Sequence, residues 1–352
     1  MDARVKPAPH EIRLARAENP KMRERDLASQ LGVSEAELVA AYIGEGVVRL
    51  EPCVNDLLTG LEAVGEVMAL TRNESAVHEK IGVYDKVVTG DQTTMALGEN
   101  IDLRIFPKRW AFGFAVEKRD GDGVRRSFQF FDKTGAAVHK VHLRPSSNVE
   151  AYEQLLEKLR SEDQSATLEI EATDVAEAPV VETTTTVEEL RDRWSKLTDT
   201  HQFFGMLRTL KLGRQQALHM VGDDYAWRVE NDALTTMLHK SVETQVPIMC
   251  FVGNDGCIQI HSGPIQNVKP MGPWINIFDE TFHLHFRTDH VQELWVVRKP
   301  TTDGHVTSLE AYDAKGELVI QFFGKRKEGH DERVEWREIA ESLPRATAAA
   351  AA

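Results

Sequence analysis

The chain contains one internal repeat in a single register, and this repeat constrains its fold more than any other feature. Met68 and Met249 each begin a strand-like run, and they lie 181 residues apart (249 − 68). Leu31-Gly32 and Leu212-Gly213 keep the same separation upstream. The other identical pairs in this register are Asn73 with Asn254, Gly82 with Gly263, Leu103 with Leu284, Lys118 with Lys299, Asp122-Gly123 with Asp303-Gly304, Ser127 with Ser308, Asp132 with Asp313, and Gly135 with Gly316. A register held without a gap over this span predicts two copies of one structural unit.

Each copy is predicted to begin with short helices and to continue as antiparallel strands. In the first copy, two apolar-periodic segments are separated by Gly32, and Ser34 with Glu37 has the spacing of a capping box. Strand-like stretches then follow in the same order in both copies: IDLRIF, WAFGFAV, RRSFQFF and AAVHKVHL, then TFHLHFR, ELWVVRK, TSLEAYD and ELVIQFFG. Gly135 and Gly316 are expected at positive φ in hairpin turns. The predicted fold class is α+β, an internal duplication of an antiparallel β-sheet unit with flanking helices.

The repeat also sets the expected domain limits. With 352 residues the chain is long enough for two domains of ordinary size. We expect an N-terminal repeat over 1–162, a linker over 163–186, a C-terminal repeat over 187–345, and a disordered alanine-rich tail over 346–352. The linker is predicted because its composition is rich in Thr, Ala, Glu and Val and has no helical periodicity.

Charge and composition exclude several classes of partner. The formal net charge of −14 argues against nucleic acid or anionic lipid as a general partner, because both are bound by positive surface. No stretch approaches the roughly 18 to 20 apolar residues of a membrane span, so stable membrane insertion is not expected. The N-terminus lacks the apolar core of a secretory signal, and Cys53, Cys250 and Cys257 form no CxxC pair. We therefore expect a cytoplasmic protein whose three cysteines act as small hydrophobic residues.

One alternative function is a helix-turn-helix transcriptional regulator that uses the helix pair from Leu27 to Tyr42. A turn glycine followed by Val-Ser is typical of such a pair. However, the second helix carries Glu35 and Glu37 and no basic residue, so DNA phosphates would repel it. The repeat of the same unit around Gly213 favours a structural helical hairpin.

A second alternative is a metalloprotein that uses His283 and His285. In TFHLHFR, His283 and His285 share one face of a strand, a spacing that can place two imidazoles on one metal ion. His261 or His305 would have to supply a third ligand, and nothing in the sequence brings either of them there. The same shift places Arg104 opposite His285, so the two copies differ at this polar position.

His201, in TDTHQFFGMLR, is the candidate ligand with the most informative surroundings. We expect Thr198 or Asp199 to cap a helix and His201 to lie in its first turn, where the free amides disfavour a protonated imidazole. Neutral imidazole is the form that binds a metal. On the same helix face the residues that follow are Phe204, Gly205 and Arg208. A glycine in mid-helix costs about 1 kcal/mol relative to alanine, which makes sense if something flat approaches the backbone there. The other reading is a partly buried histidine at a helix end.

Six stretches carry a resemblance to a known family. They are TDTHQFFGMLR, LGRQQAL, IDLRIFPKRW, MCFVGNDGCIQIHSGP, VRKPTTDGHVTSLEAYD and IQFFGKRKEG. Together they resemble the HemS, HmuS, ShuS and PhuS family of bacterial cytoplasmic haem-utilisation proteins, also called haemin-degrading factors. The resemblance covers the chain except for the linker and the alanine tail.

The resemblance implies a duplicated α+β fold with haem b in a cleft between the halves. By position, His201 resembles the axial ligand of the haem iron, and Arg104 resembles the residue that faces the iron from the first half. The other residues implied to line the haem pocket are Arg214, Lys299, Gln321, Phe323 and Arg326. Phe323 departs from the family pattern, because many relatives have tyrosine there, so one distal hydroxyl is missing.

The chemistry of haem suits these residue types. Haem is a flat apolar plate with two carboxylates and an iron, so its site needs an imidazole, apolar walls and a few cations. The expected walls are Phe203 or Phe204, Phe251 and Phe323. The expected positive edge consists of Arg208, Arg214, Lys299, Lys325 and Arg326.

The resemblance implies a role in haem uptake and iron acquisition. The protein would pass haem to a haem oxygenase, degrade it to release iron, or do both. The implied partners are haem, a haem oxygenase, the haem-import ABC transporter and an external reductase. A reductase is needed for degradation because the sequence has no nucleotide-binding glycine fingerprint of its own.

Overall fold

The computed structural model describes residues 6–121, 123–172, 184–327 and 329–346. Of the expected linker, residues 173–183 lie outside the described residues, and so do residues 347–352 of the expected alanine tail. The side chain of Asp120 is likewise not described. Within the described ranges, no helix is both long and apolar enough to span a membrane.

The first half of the chain contains five helices and nine strands among its described residues. Its helices are α1 (Pro9–Glu18), α2 (Glu24–Leu31), α3 (Glu35–Ala40), α4 (Val54–Val64) and α5 (Val149–Leu159). Its strands are β1 (Val47–Leu50), β2 (Val67–Arg72), β3 (Ala76–Gly82), β4 (Val87–Val88), β5 (Thr94–Leu97), β6 (Asp102–Ile105), β7 (Phe112–Asp120), β8 (Gly123–Phe131) and β9 (Ala137–Leu143). A 3-10 helix, Pro107–Arg109, precedes β7.

The described residues of the second half contain the same order of elements. Its helices are α6 (Val187–Ser195), α7 (Gln202–Leu210), α8 (Arg214–Val221), α9 (Ala233–Thr244) and α10 (Val334–Glu341). Its strands are β10 (Ala226–Val229), β11 (Ile248–Gly253), β12 (Cys257–Gly263), β13 (Val268–Met271), β14 (Trp274–Phe278), β15 (Phe282–Arg287), β16 (Glu293–Thr301), β17 (Gly304–Tyr312) and β18 (Leu318–Gly324). A 3-10 helix, Thr288–His290, precedes β16.

The predicted duplication is confirmed strand by strand. The limits of β2, β3, β7, β8 and β9 become those of β11, β12, β16, β17 and β18 when the 181-residue shift is applied, as in Val67 and Ile248 (248 − 67). The strand orders β1-β7-β8-β9-β2 and β10-β16-β17-β18-β11 also correspond, and all their pairings are antiparallel. The turn glycines behave as expected, since φ is 76° at Gly135 and 77° at Gly316.

The chain forms two compact units, and each unit includes a short segment from the opposite half of the sequence. Among the described residues, unit 1 contains 6–72, 79–121, 123–172 and 253–259, and unit 2 contains 73–78, 184–252, 260–327 and 329–346. The first part of the expected linker packs within unit 1, where Leu168 is 9% exposed and the Gln164 side chain binds the backbone of Arg49. The domain limits expected from the sequence stay a prediction.

Two equivalent asparagines hold the exchanged segments. In unit 2, Asn73 accepts hydrogen bonds from the amides of Ser75 and Ala76 and donates Nδ2 to the carbonyl of Val319 at 2.8 Å. In unit 1, Asn254 accepts from the amides of its own turn and donates Nδ2 to the carbonyls of Arg72 and Val138, both at 2.9 Å. The two asparagines, which correspond in the 181-residue register, therefore have the same structural role. Their identity in the sequence did not by itself indicate that role.

The cores of both units lie on the two faces of their sheets. In unit 1, α4 and α5 cover one face and α3 covers the other. In unit 2, α9 and α10 cover one face, while α6, α7 and α8 cover part of the other. Each fully buried leucine or phenylalanine contributes about 1.5–3 kcal/mol, so these layers supply most of the stability. Cys250 and Cys257 are buried as expected, but Cys53 is exposed before α4, so it does not act as a core residue.

The helix pair from Leu27 to Tyr42 is a structural hairpin. Gly32 ends α2 in the left-handed conformation with φ 69°, and Ser34 with Glu37 forms the predicted capping box at the start of α3. Helix α3 has six residues, of which Ala36 and Val39 are buried in the core of unit 1. The residues of α3 that are not buried are the acidic Glu35 and Glu37, so the structure argues against the regulator alternative.

Candidate functional site

Helix α7 has a buried face and an exposed face, and the exposed face carries the expected ligand. The buried residues are Phe203, Met206, Leu207 and Leu210. The exposed residues at helical spacing are His201, Phe204, Gly205 and Arg208. We call these four residues the α7 stripe. Its exposed phenylalanine, Phe204, leaves 60% of its surface accessible, which is unusual for a large apolar side chain.

His201 stands at the start of this stripe with one ring nitrogen engaged. Its Nδ1 lies 2.7 Å from Oδ1 of Asp199, and its side chain is 90% exposed. A carboxylate oxygen only accepts, so Nδ1 carries the hydrogen, and in the neutral imidazole the free lone pair is then on Nε2. The backbone N–H of His201 donates to the same oxygen, and this hydrogen bond, together with that of the ring, lowers the pKa of Asp199.

The start of α7 differs from the expectation in one respect. His201 is itself the N-cap residue of α7, and no side chain caps the helix. The prediction that Thr198 or Asp199 would be the cap was wrong, because the Asp199 carboxylate turns to the His201 amide and ring. The free helical amides nevertheless begin next to the imidazole, as expected.

Gly205 lies in the middle of the stripe and has open space above it. A Cβ built on Gly205 would meet no atom of the described residues within 4 Å. The packing of the protein therefore does not require glycine here, although glycine lowers helix stability by about 1 kcal/mol. This observation agrees with a flat ligand that approaches the helix backbone.

A buried ionic network supports α7 from below. Glu310, which is 0% exposed, accepts a bidentate pair of hydrogen bonds from Arg214 at 2.7 and 2.9 Å and one from Lys299 at 2.7 Å. The Tyr312 hydroxyl donates to the same carboxylate at 2.7 Å. Both cations also lie over the ring of Phe203, Lys299 at 4.8 Å and Arg214 at 5.3 Å from its centroid.

The charged groups in this network shift one another's pKa values. Burial alone would raise the pKa of Glu310, but Arg214 and Lys299 hold it well below its ordinary value. Burial alone would lower the pKa of Arg214, but attraction to Glu310 raises it. Burial lowers the pKa of Lys299 to about 8, because the neighbouring guanidinium adds to the desolvation and Glu310 compensates only in part.

Two of the five cations expected at the positive edge are largely buried. Lys299 is 3% exposed and Arg214 has 14% of its side chain exposed, and both are paired with the Glu310 carboxylate. As surface cations the two residues do not fit the expectation; they support α7 instead. Arg208 and Lys325 are exposed and Arg326 is half-buried, so these three residues offer charge at the surface.

The sheet face under α7 continues as a half-buried apolar wall. Across β17 and β18, Gln321 is paired with Glu310 and Phe323 with Ser308, so their side chains share one face. The ring of Phe323 packs edge-on against Phe251 at 5.1 Å. Nε2 of Gln321 is buried and has no hydrogen-bond partner among the described residues, which is uncommon in proteins. A polar atom of this kind suits a site that a ligand completes.

The remaining predicted site residues are Arg326 and Arg104. Arg326 follows β18 in unit 2, and its charge acts on Asp199, the hydrogen-bond partner of His201. Arg104 lies on β6 in unit 1, where its guanidinium pairs with Asp102 and donates to the carbonyl of Leu103 at 3.1 Å. A third of the Arg104 side chain is exposed. Its position opposite an iron stays a prediction.

His283 and His285 are not part of a metal site among the described residues. Phe282, Leu284 and Phe286 occupy the buried face of β15 as predicted, and the two histidines lie on the other face. Nδ1 of His285 is 2.7 Å from Oδ1 of Asn276. No group of three or more His, Cys, Asp or Glu side chains that could hold a metal occurs in the described ranges, so neither His261 nor His305 completes a site with these two histidines.

Unit 2 brings together the features that a flat ligand with a central metal would require. An outward imidazole nitrogen, an aromatic side chain and an open backbone lie along one helix, and a phenylalanine wall lies on the adjoining sheet. The model of the haemin-degrading HemS.ChuX domain matches residues 32–159 and 211–343, once in each half. The chain belongs to this family.

Characterised relatives span nearly the whole chain. The hemin transport protein HmuS of Yersinia pestis is 42% identical over 325 residues, which is 92% of this chain and 93% of that protein. The structure is similar to holo-PhuS, a heme-binding protein from Pseudomonas aeruginosa, with a TM-score of 0.93, 44% identity, and coverage of 97% of this chain and 100% of the other. It is also similar to ChuS, an E. coli heme oxygenase, with a TM-score of 0.84, 37% identity, and coverage of 93% and 98%.

Proposed function

We propose that this protein binds haem b on the α7 stripe with Nε2 of His201 as the axial ligand of the iron. The observation that carries the proposal is the engaged Nδ1 of an otherwise exposed imidazole, one helical turn from a glycine whose open face is not filled by any of the described residues. Metal-bound histidines in proteins donate their other ring N–H in this way. The relatives named as hemin transport and heme-binding proteins support the choice of ligand.

Each further residue has a task that follows from its chemistry. Phe204 offers an exposed aromatic surface for the macrocycle, and Phe251 with Phe323 forms an apolar wall. Arg208, Lys325 and Arg326 are the cations that would pair with the two propionates. Arg104 would act on the open side of the iron as a hydrogen-bond donor, since a guanidinium stays protonated and is a poor ligand.

The cellular role that fits this site is haem transfer in iron acquisition. A haem fixed by one imidazole is held firmly on one side only, which suits a carrier in the cytoplasm that receives haem from an ABC importer and delivers it to a haem oxygenase. The relatives bear names of both kinds, hemin transport protein and heme oxygenase. Degradation by this chain would need electrons from an external reductase.

The test of haem binding is a hemin titration of the full chain, followed by absorbance. We expect His201→Ala to weaken binding at least tenfold and to shift the Soret band, because a coordinate bond is lost. His219→Ala is the matched control, since His219 is also exposed but is held by Glu293 at 2.9 Å. A His201→Ala protein with the spectrum and affinity of the wild type would exclude this ligand.

Transfer and degradation are distinguished in a second experiment. Haem-loaded protein is mixed with a reductase and NADPH, and the Soret band, carbon monoxide and tetrapyrrole products are followed. Loss of haem that persists with catalase present indicates degradation by the protein. Loss that catalase abolishes indicates peroxide-driven oxidation, and the carrier role then stands alone.

A further inference from the structure

Asp199 is the side chain that decides how His201 is oriented. One carboxylate oxygen, Oδ1, accepts the backbone N–H and the ring Nδ1–H of His201, each at 2.7 Å. The imidazole is 90% exposed, so packing does not hold its rotamer. The hydrogen bond to Asp199 is therefore the interaction that fixes the ring, and an exposed side chain without it would sample several rotamers.

Asp199 can serve as an anchor because its own turn is tied down. The backbone N–H of Thr302 donates to the carbonyl of Thr198 at 3.0 Å, which links the turn to the β16–β17 hairpin. The backbone N–H of Gln202 donates to the carbonyl of Asp199 at 3.1 Å, and the side chain of Gln202 accepts from the backbone N–H of Thr198 at 3.0 Å. The carboxylate thus stands on a fixed backbone on both sides of the histidine.

We propose that Asp199 is the positioning residue of the axial imidazole. It selects the tautomer with hydrogen on Nδ1 and points Nε2 away from the turn. Because the carboxylate accepts the Nδ1–H, the ring becomes more electron-rich, and the Nε2 lone pair becomes a stronger ligand for a metal. This inference rests on the proposed function of His201. Outer partners of this kind typically change metal affinity by about 10- to 100-fold.

Two substitutions separate the charge of Asp199 from its hydrogen bond. Asp199→Asn keeps an oxygen that can accept from both N–H groups but removes the negative charge. Asp199→Ala removes the charge and the acceptor. Asp192→Asn is the matched control, because Asp192 is an exposed carboxylate of the same unit that pairs with Lys196 at 2.6 Å.

The experiment uses the full chain reconstituted with hemin. The readouts are the iron–histidine stretching frequency of the reduced protein by resonance Raman, and the rate of haem transfer to apomyoglobin. We expect a lower frequency in both variants, and a transfer rate that rises about 10- to 100-fold in Asp199→Ala and less in Asp199→Asn. The control should match the wild type in both readouts.

The outcomes separate this inference from the proposed function. If His201→Ala keeps the wild-type spectrum, the ligand itself is wrong. If His201→Ala loses the signal while both Asp199 variants keep the wild-type frequency and rate, only the role of Asp199 is overturned. Circular dichroism and urea unfolding of each variant show whether it is folded, and the stretching frequency reports on the axial bond of the folded fraction alone.

Discussion

At the scale of single residues, the site depends on charged side chains whose ion-pair partners cannot be identified from the sequence. Arg214 and Lys299 were expected at the edge of a ligand, and Glu310 received no role. In the structure, Glu310 binds both cations beneath Phe203, so the three residues form one buried ionic group. Nothing in the sequence spacing distinguishes such a group from three separate surface charges, because the partners come from α8, β16 and β17.

The buried group gives a prediction for Glu310→Gln. Loss of the carboxylate leaves two buried cations without compensation, and breaking such a pair costs about 3–5 kcal/mol. We expect this decrease in the free energy of unfolding at pH 7 by urea denaturation. Glu317→Gln, a change at an exposed position of the same unit, should stay within about 0.5 kcal/mol of the wild type.

The same pair of proteins should differ in pH dependence. The folded-state pKa of Glu310 lies below its unfolded value, so its stabilisation is complete above about pH 4.5 and is lost as the pH falls further. The difference between wild type and Glu310→Gln should therefore shrink in acid. A difference that is constant from pH 7 to pH 3 would contradict the ionic interpretation.

At the scale of elements, α7 combines an ordinary buried face with an exposed face that weakens the helix. The buried face follows the helical period, and it includes Phe203, which was one of two candidates for a wall of the haem pocket. The exposed face contains a glycine with open space above and a phenylalanine that is 60% exposed, and the glycine lowers the stability of the helix. We interpret this face as a surface retained for a ligand at the expense of stability.

This interpretation predicts opposite effects of Gly205→Ala on stability and on binding. A methyl group there meets no protein atom, so the unliganded protein should gain up to about 1 kcal/mol in unfolding free energy. The same methyl group should weaken hemin binding by about 1–3 kcal/mol, because it occupies the space of the macrocycle. Urea unfolding and hemin titration measure the two effects.

Gly60 in α4 is the matched control for this substitution. A Cβ on Gly60 would lie 2.5 Å from Cδ1 of Leu155, so Gly60→Ala should destabilise the fold and leave hemin affinity nearly unchanged. If Gly205→Ala binds hemin as well as the wild type does, the stripe is not the face against which haem lies.

At the scale of the whole molecule, the two copies are not independent in sequence. Unit 1 includes 253–259 and unit 2 includes 73–78. The carbonyl of Gly256 accepts hydrogen bonds from the Trp110 indole at 2.9 Å and from the backbone N–H of Phe106 at 3.0 Å, and Cys257 lies in the core of unit 1. A domain cut from the sequence at its midpoint would lack these contacts.

Because each of these segments belongs to the unit of the opposite half, substituting its asparagine should affect that opposite unit. We expect Asn254→Ala to accelerate amide hydrogen exchange in β2 and β9 of unit 1, and Asn73→Ala to accelerate it in β18 of unit 2. Each change removes several hydrogen bonds to backbone groups and should cost about 1–3 kcal/mol. Hydrogen–deuterium exchange followed by mass spectrometry locates the effect. Faster exchange in unit 2 for Asn254→Ala, or in unit 1 for Asn73→Ala, would contradict the assignment.

The sequence by itself determined the duplication, the α+β class and the helical face on which His201 lies. These features are local or periodic, so they are visible in residue order: the 181-residue register, the alternation of strands and the spacing of 201, 204, 205 and 208. The roles of Arg104 and of the cations that would meet the propionates came from family resemblance and stay predictions.

Only the tertiary structure decided which charges are exposed, which are buried, and which turn belongs to which unit. Asp199 could be seen two residues before His201, but its use as an acceptor for the ring depends on the backbone of the turn. Glu310 lies 96 residues from Arg214 and binds it only because β17 passes under α8. Desolvation and hydrogen bonding depend on neighbours in space, and residue order alone does not specify those neighbours.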